Sequence, residues 1–158
     1  MVPGDVAEVN ARADTLAHAI EVEDGVACTL AFANGALGAL YATTSAAPGF
    51  PHRIEVYGTE GGVQIEGEAV VRWHARTPAP EAPTASGAAA AGSGGSPTGI
   101  GTTGHARLMA DFVGAVREGR APLVTGEEGR RSLALVLAVY ESARTGHAVR
   151  PSHKPPSS

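Results

Sequence analysis

The sequence predicts an α+β fold, an open and mainly antiparallel β-sheet with two principal helices packed on one face. Three observations predict it. Residues 26–43 hold two alternating apolar runs that meet at Asn34-Gly35. Further short strands follow behind glycine turns as far as Trp73. Two segments of helical period close the chain, the second with a cap at each end. Short antiparallel strands of this kind commonly bury one face and leave the other open.

The elements follow in order. Residues 5–15 form the first strand, with Val6 and Val9 set among polar groups. Val26, Cys28, Leu30 and Phe32 alternate with Ala27, Thr29 and Ala31 to give the second. Asn34-Gly35 is expected as a two-residue hairpin turn into 37–43, because both residue types tolerate positive φ. Ile54 and Val56 alternate with Glu55 and Tyr57, and Gly58-Thr59-Glu60-Gly61-Gly62 turns the chain into Val63 and Ile65. Val70, Val71 and Trp73 complete a sheet of five or six strands. From 77 to 104 every residue except Glu81 and Ile100 is Pro, Ala, Gly, Ser or Thr. Such a segment buries too little apolar surface to offset its ordering entropy, so a flexible loop is expected.

A helix over 105–118 carries Leu108, Met109, Phe112, Val113 and Val116 on one side and stops at Gly119. Thr125 and Glu128 then have capping-box spacing. Leu133, Val136, Leu137 and Tyr140 recur as the stripe expected to face the core, and Gly146 is the expected left-handed stop. Residues 1–151 therefore read as one domain with an inserted loop at 77–104, and 152–158 as a disordered tail.

Bulk properties narrow the function. The chain has 158 residues, 43% of them hydrophobic but only 4% aromatic, so its core must be built from Ala, Val, Leu and Ile. A net charge of −4 without a basic cluster argues against a nucleic-acid partner. Cys28 stands alone, which excludes an internal disulfide and a cysteine zinc site. It reads as a small buried hydrophobe. Neither a signal peptide nor a long apolar run is present, so no membrane association and a cytoplasmic location are expected.

Two local motifs mislead. Gly99-Ile100-Gly101-Thr102-Thr103-Gly104 satisfies the dinucleotide pattern, but that chemistry needs an apolar strand before the first glycine and an acid at the end of the next strand. Ala and Ser runs precede it instead, so no cofactor-binding residue is assigned. Lys154, the chain's one lysine, sits in the Pro/Ser tail. A catalytic lysine must be held rigidly, so no catalytic residue is assigned either. None of the six histidines has metal-ligand spacing to another, and no metal site is expected. His105, at a helix start, is the one candidate substrate contact. Glu21, Glu23 and Asp24 read as a polar approach to a strand, and Tyr140 as core, with Trp73 a possible stacking surface.

Three blocks together resemble the C-terminal domain of the Gfo/Idh/MocA family of NAD(P)-dependent oxidoreductases. They are VEDGVACTLAFANGALGAL (22–40), IEVYGTEGGVQIEG (54–67) and TGEEGRRSLALVLAVYESARTGHAV (125–149), the last led in by REGRAPLVTGEEG. The resemblance covers about 5–151, and the 77–104 loop departs from it as a long insertion. It implies an enzyme whose N-terminal Rossmann domain holds NAD(P) and whose sheet domain covers a sugar or polyol. It also implies an open sheet face that makes the subunit contact, and a catalytic Lys and Asp/His pair, neither of which has a counterpart here. The Rossmann domain is likewise missing from these residues.

Two accounts of function follow. In the first, the chain is the substrate-side and oligomerisation domain of such an enzyme, a fragment or split subunit inactive alone and binding no cofactor alone. In the second, it is a stand-alone non-catalytic assembly or small-ligand-binding module. Both call for a homo-oligomer or heteromer through the open face, with a Rossmann-domain subunit as a further partner.

Overall fold

The computed structural model describes residues 5–67, 69–77 and 103–152. The elements are β1 (Val6–Asp14), β2 (Gly25–Phe32), β3 (Leu37–Thr43), β4 (Arg53–Gly58), β5 (Gly61–Glu66), β6 (Ala69–Ala75), α1 (Thr103–Glu118) and α2 (Gly126–Thr145). All strand pairs are antiparallel, which gives the expected α+β class. The strands form two three-stranded sheets, β1-β2-β3 and β4-β5-β6, where one sheet was expected. Between them the chain runs through Pro48 and Pro51, which have no backbone N–H to give to a ladder. The second sheet lies in a compact unit separate from that of the first sheet and α2.

The β2–β3 hairpin closes differently from expectation. The Phe32 N–H donates to the Ala36 carbonyl and the Gly35 N–H to the Phe32 carbonyl, which makes a three-residue loop of 33–35. Gly35 takes the left-handed position at φ 85°, and the Asn34 side chain accepts from the Ala36 N–H. In the second sheet only Thr59 and Glu60 separate the paired Gly58 and Gly61. A Cβ on Gly61 would lie 2.1 Å from the His74 carbonyl oxygen, so only glycine fits there.

The core of the first unit is a thin layer between β1-β2-β3 and α2. Val9, Ala11 and Cys28 on the sheet meet Ala138 on the helix, flanked by Leu30, Leu135, Val139, Ala143 and Val149. The helix face that is buried is Ala134, Ala138 and Ser142, at intervals of four. This corrects the sequence reading. Leu133 and Leu137 are 57% and 58% exposed while Ala138 is 3% exposed, and Val136 and Tyr140 are also exposed. Small side chains let the helix lie close on the sheet, Leu135 and Val139 flank the contact, and Leu133, Val136, Leu137 and Tyr140 are exposed.

The caps of α2 match expectation in part. Thr125 accepts from the Glu128 N–H, and Gly146 at φ 71° donates to the Ser142 carbonyl. The Glu128 carboxylate turns to Arg131 rather than back to the cap. Helix α1 starts at Thr103, two residues before the predicted start.

Candidate interaction surface

Pairing places the side chains of the first sheet on two faces. Val9, Ala11, Cys28, Leu30 and Leu40 share the face toward α2. The opposite face carries three rows: Glu8, Ala31 and Leu37; Asn10, Thr29 and Ala39; Arg12, Ala27 and Tyr41. Its residues are exposed apart from the partly buried Ala31. The small side chains of Ala27, Thr29 and Ala39 floor a shallow hollow of about 540 Å³, bordered by Asn10, Arg12 and Tyr41. Tyr41 and Leu37 stand out beside it, 67% and 84% exposed. The sequence reading named Ala27, Ala31, Ala36 and Ala39 as small groups suited to close sheet contact. Three of them share this face, and Ala36 instead pairs with Phe32 where the hairpin loop closes.

The outer edge of β1 is occupied at Val9 and Ala11. The Val9 N–H donates to the Val149 carbonyl at 2.8 Å, and the Val9 carbonyl accepts from the Val149 N–H at 2.9 Å. The Ala11 N–H donates to the Ser142 hydroxyl at 2.9 Å, and that hydroxyl donates to the His147 carbonyl at 2.7 Å. An edge satisfied in this way does not template another strand.

Asp24 organises the approach to β2. Its side chain is fully buried and accepts from the Leu16, Ala17 and His18 backbone N–H groups at 2.6, 2.8 and 2.9 Å, with the His18 ring at 3.0 Å. The Leu16 and Ala17 N–H donors, with His18 adding to them, hold its carboxyl far below the usual carboxylate range despite burial. The Asp24 carbonyl also accepts from the Thr43 hydroxyl and the Thr44 N–H. Asp24 is thus a structural clamp on 15–24, a role beyond the polar approach assigned to it from sequence. Beside it, the Tyr140 hydroxyl donates to Glu23 at 2.6 Å. That bond lowers the Glu23 pKa and raises that of Tyr140. Tyr140 is therefore a tether from α2 to this segment rather than a core residue.

The other candidates are placed as follows. His105 is exposed in the first turn of α1. Gly99 to Thr102, most of the 77–104 loop and Lys154 lie outside the described residues. Cys28 is buried, and burial raises its thiol pKa. Trp73 donates to the Thr77 carbonyl from the second sheet. On that sheet Tyr57 donates to Glu55, which raises the Tyr57 pKa. Among the described residues no group of three His, Cys, Asp or Glu side chains is arranged to hold a metal. No helix among them is long and apolar enough to cross a membrane.

Comparison with known proteins points to the same family that the sequence resembles. Residues 1–64 match the model of the GFO/IDH/MocA C-terminal domain. Over those residues the chain is similar to that domain. Likeness in fold to solved dehydrogenases extends beyond those residues. The WlbA dehydrogenase from Bordetella pertussis, solved with NADH and UDP-GlcNAcA, superposes with a TM-score of 0.72 at 26% identity. The alignment covers 92% of this chain and 39% of that one. The WlbA enzyme from Chromobacterium violaceum, with the same two ligands, gives 0.70 at 27% identity over 98% of this chain and 42% of its own. Myo-inositol 2-dehydrogenase from Lactobacillus plantarum, at 23% identity and TM-score 0.68, shares the fold. A search of curated proteins gives no match. The chain thus spans about two fifths of the length of these solved structures.

Proposed function

We propose that this chain is the substrate-side and oligomerisation domain of a Gfo/Idh/MocA-type NAD(P)-dependent sugar or polyol oxidoreductase. Hydride transfer then belongs to the assembled enzyme, and these residues alone neither bind the nucleotide nor turn over substrate. The observation that carries the reading is the exposed, small-residue face of β1-β2-β3 lying opposite the face that α2 covers. Contiguous exposed surface of this kind marks an association site. The solved WlbA relatives, with NADH and a nucleotide sugar bound, support a sugar as the substrate class. His105 is the proposed substrate contact of this chain.

Sedimentation velocity over a concentration series tests assembly. A dimer or larger species is expected, and Ala39→Arg, which puts a charge into the centre of the face, is expected to disperse it. A monomer at every concentration would overturn the assembly role. NADH fluorescence titration is expected to show no saturable binding to the chain alone, and micromolar affinity would contradict that part. The alternative, a stand-alone module, requires that adding a Rossmann-domain subunit restores no dehydrogenase activity.

A further inference from the structure

We propose that the outer edge of β1 at Val9 and Ala11 is an acceptor site for an extended apolar peptide, held shut by residues 147–152 of this chain as a displaceable strap. Three contacts build the site. Val9 turns its N–H and carbonyl away from β2, and Val149 takes both. Ala11 turns its N–H the same way to the buried Ser142 hydroxyl, which in turn donates to the His147 carbonyl of the strap. The Val149 side chain packs against the apolar cluster of Val9, Ala11, Cys28 and Ala138. Main-chain bonding along a sheet edge, with a seat for one alternate side chain, is how an extended peptide is added as a strand. The strap is a ligand of that kind, bound in cis.

Little holds the strap in place. Among the described residues Val149 is its one position paired with β1. His147, Ala148 and Arg150 are exposed, and Val149 itself is only partly buried. The pairing stops there for local reasons. In an antiparallel ladder the next residues to bond would be Ala7 and Pro151. Ala7 lies at the irregularity of β1 between Val6 and Glu8, and Pro151 has no N–H to donate. At its other end the strap leaves α2 through the left-handed Gly146. A segment tied at one residue opens without unfolding of the strands behind it, since β1 stays paired with β2 along its length. The opened edge then offers Val9 and Ala11 to another extended segment. Such a segment needs an apolar side chain at the Val149 position, because a charged one would lie against the cluster without a partner.

Hydrogen exchange on the full chain tests the proposal. Val149→Asp sets a carboxylate against the apolar cluster. Exchange of the Val9 amide is expected to rise roughly tenfold or more, while the β2–β3 ladder stays protected. The probe is a synthetic peptide of residues 147–152, His-Ala-Val-Arg-Pro-Ser, acetylated and amidated at its ends. It is expected to return protection to Val9 saturably, and the same peptide with Asp in place of Val is expected to return none. Loss of β2–β3 protection would show that the Asp variant has unfolded. Val149→Ala, which keeps the backbone pairing and shortens the anchor, then takes its place, with faster Val9 exchange that the native peptide slows. Unchanged Val9 exchange in both variants, or no recovery of protection with the native peptide, overturns the proposal.

Discussion

Ser142→Ala tests how α2 is fastened to the sheet that presents the open face. Ser142 is fully buried, and its hydroxyl joins the Ala11 N–H to the His147 carbonyl. Alanine preserves the packing volume closely and removes only that bridge. The Ala11 donor, on a residue 2% exposed, is then left without a partner where water does not reach. An unsatisfied buried backbone donor costs about 1–3 kcal/mol. The His147 carbonyl belongs to an exposed residue and is rehydrated, so it adds little. A loss of about 2 kcal/mol is expected, which lowers the Tm by roughly 4–8 °C in a domain of this size. Urea titration gives the free energy, and hydrogen exchange gives the location. The Ala11 amide should exchange up to roughly 30-fold faster, in line with that loss. A change below about 0.5 kcal/mol with unaltered Ala11 protection would refute the role given to this bridge.

Three further outcomes are expected. Because the folded Asp24 carboxyl sits below its unfolded value of about 3.9, its contribution is present above that pH and is lost as pH falls through the depressed range. Hydrogen exchange of the Leu16, Ala17 and His18 amides should therefore rise only in strong acid, and Asp24→Asn should raise it at neutral pH. Native-like protection in the variant would count against the clamp. Ala138→Leu should cost about 1–3 kcal/mol by overpacking, whereas Leu137→Gln, on the exposed stripe, should stay within about 0.5 kcal/mol in urea titration. The reverse order would restore the stripe predicted from sequence. In an assembled, active enzyme, His105→Ala should raise KM for substrate with kcat less affected, and an unchanged KM would remove His105 from the site.

Much of the fold was legible because strand alternation and caps are local signals. The period-two run of Val26 to Phe32, the Thr125 cap and the Gly146 stop all appear where the pattern puts them. The family likeness was legible too, since two of the three quoted blocks fall largely within the matched 1–64. What failed was the orientation of α2. Large apolar residues dominate a periodicity reading, yet the sheet accepts Ala134, Ala138 and Ser142, a face with no hydrophobic signal of its own. The break into two sheets was signalled only by Pro48 and Pro51. The clamp at Asp24 and the Glu23–Tyr140 tether join residues whose proximity depends on the tertiary fold, and no local pattern marks them.

The central claim is that the face bearing Tyr41 is where this chain assembles. Hydroxyl-radical footprinting over a concentration series tests it directly, with Tyr41 as reporter and Phe50, 90% exposed in a connecting segment, as reference. Labelling of Tyr41 is predicted to fall relative to Phe50 as the oligomer forms. An oligomer in which Tyr41 stays as reactive as in the dilute chain would contradict the account.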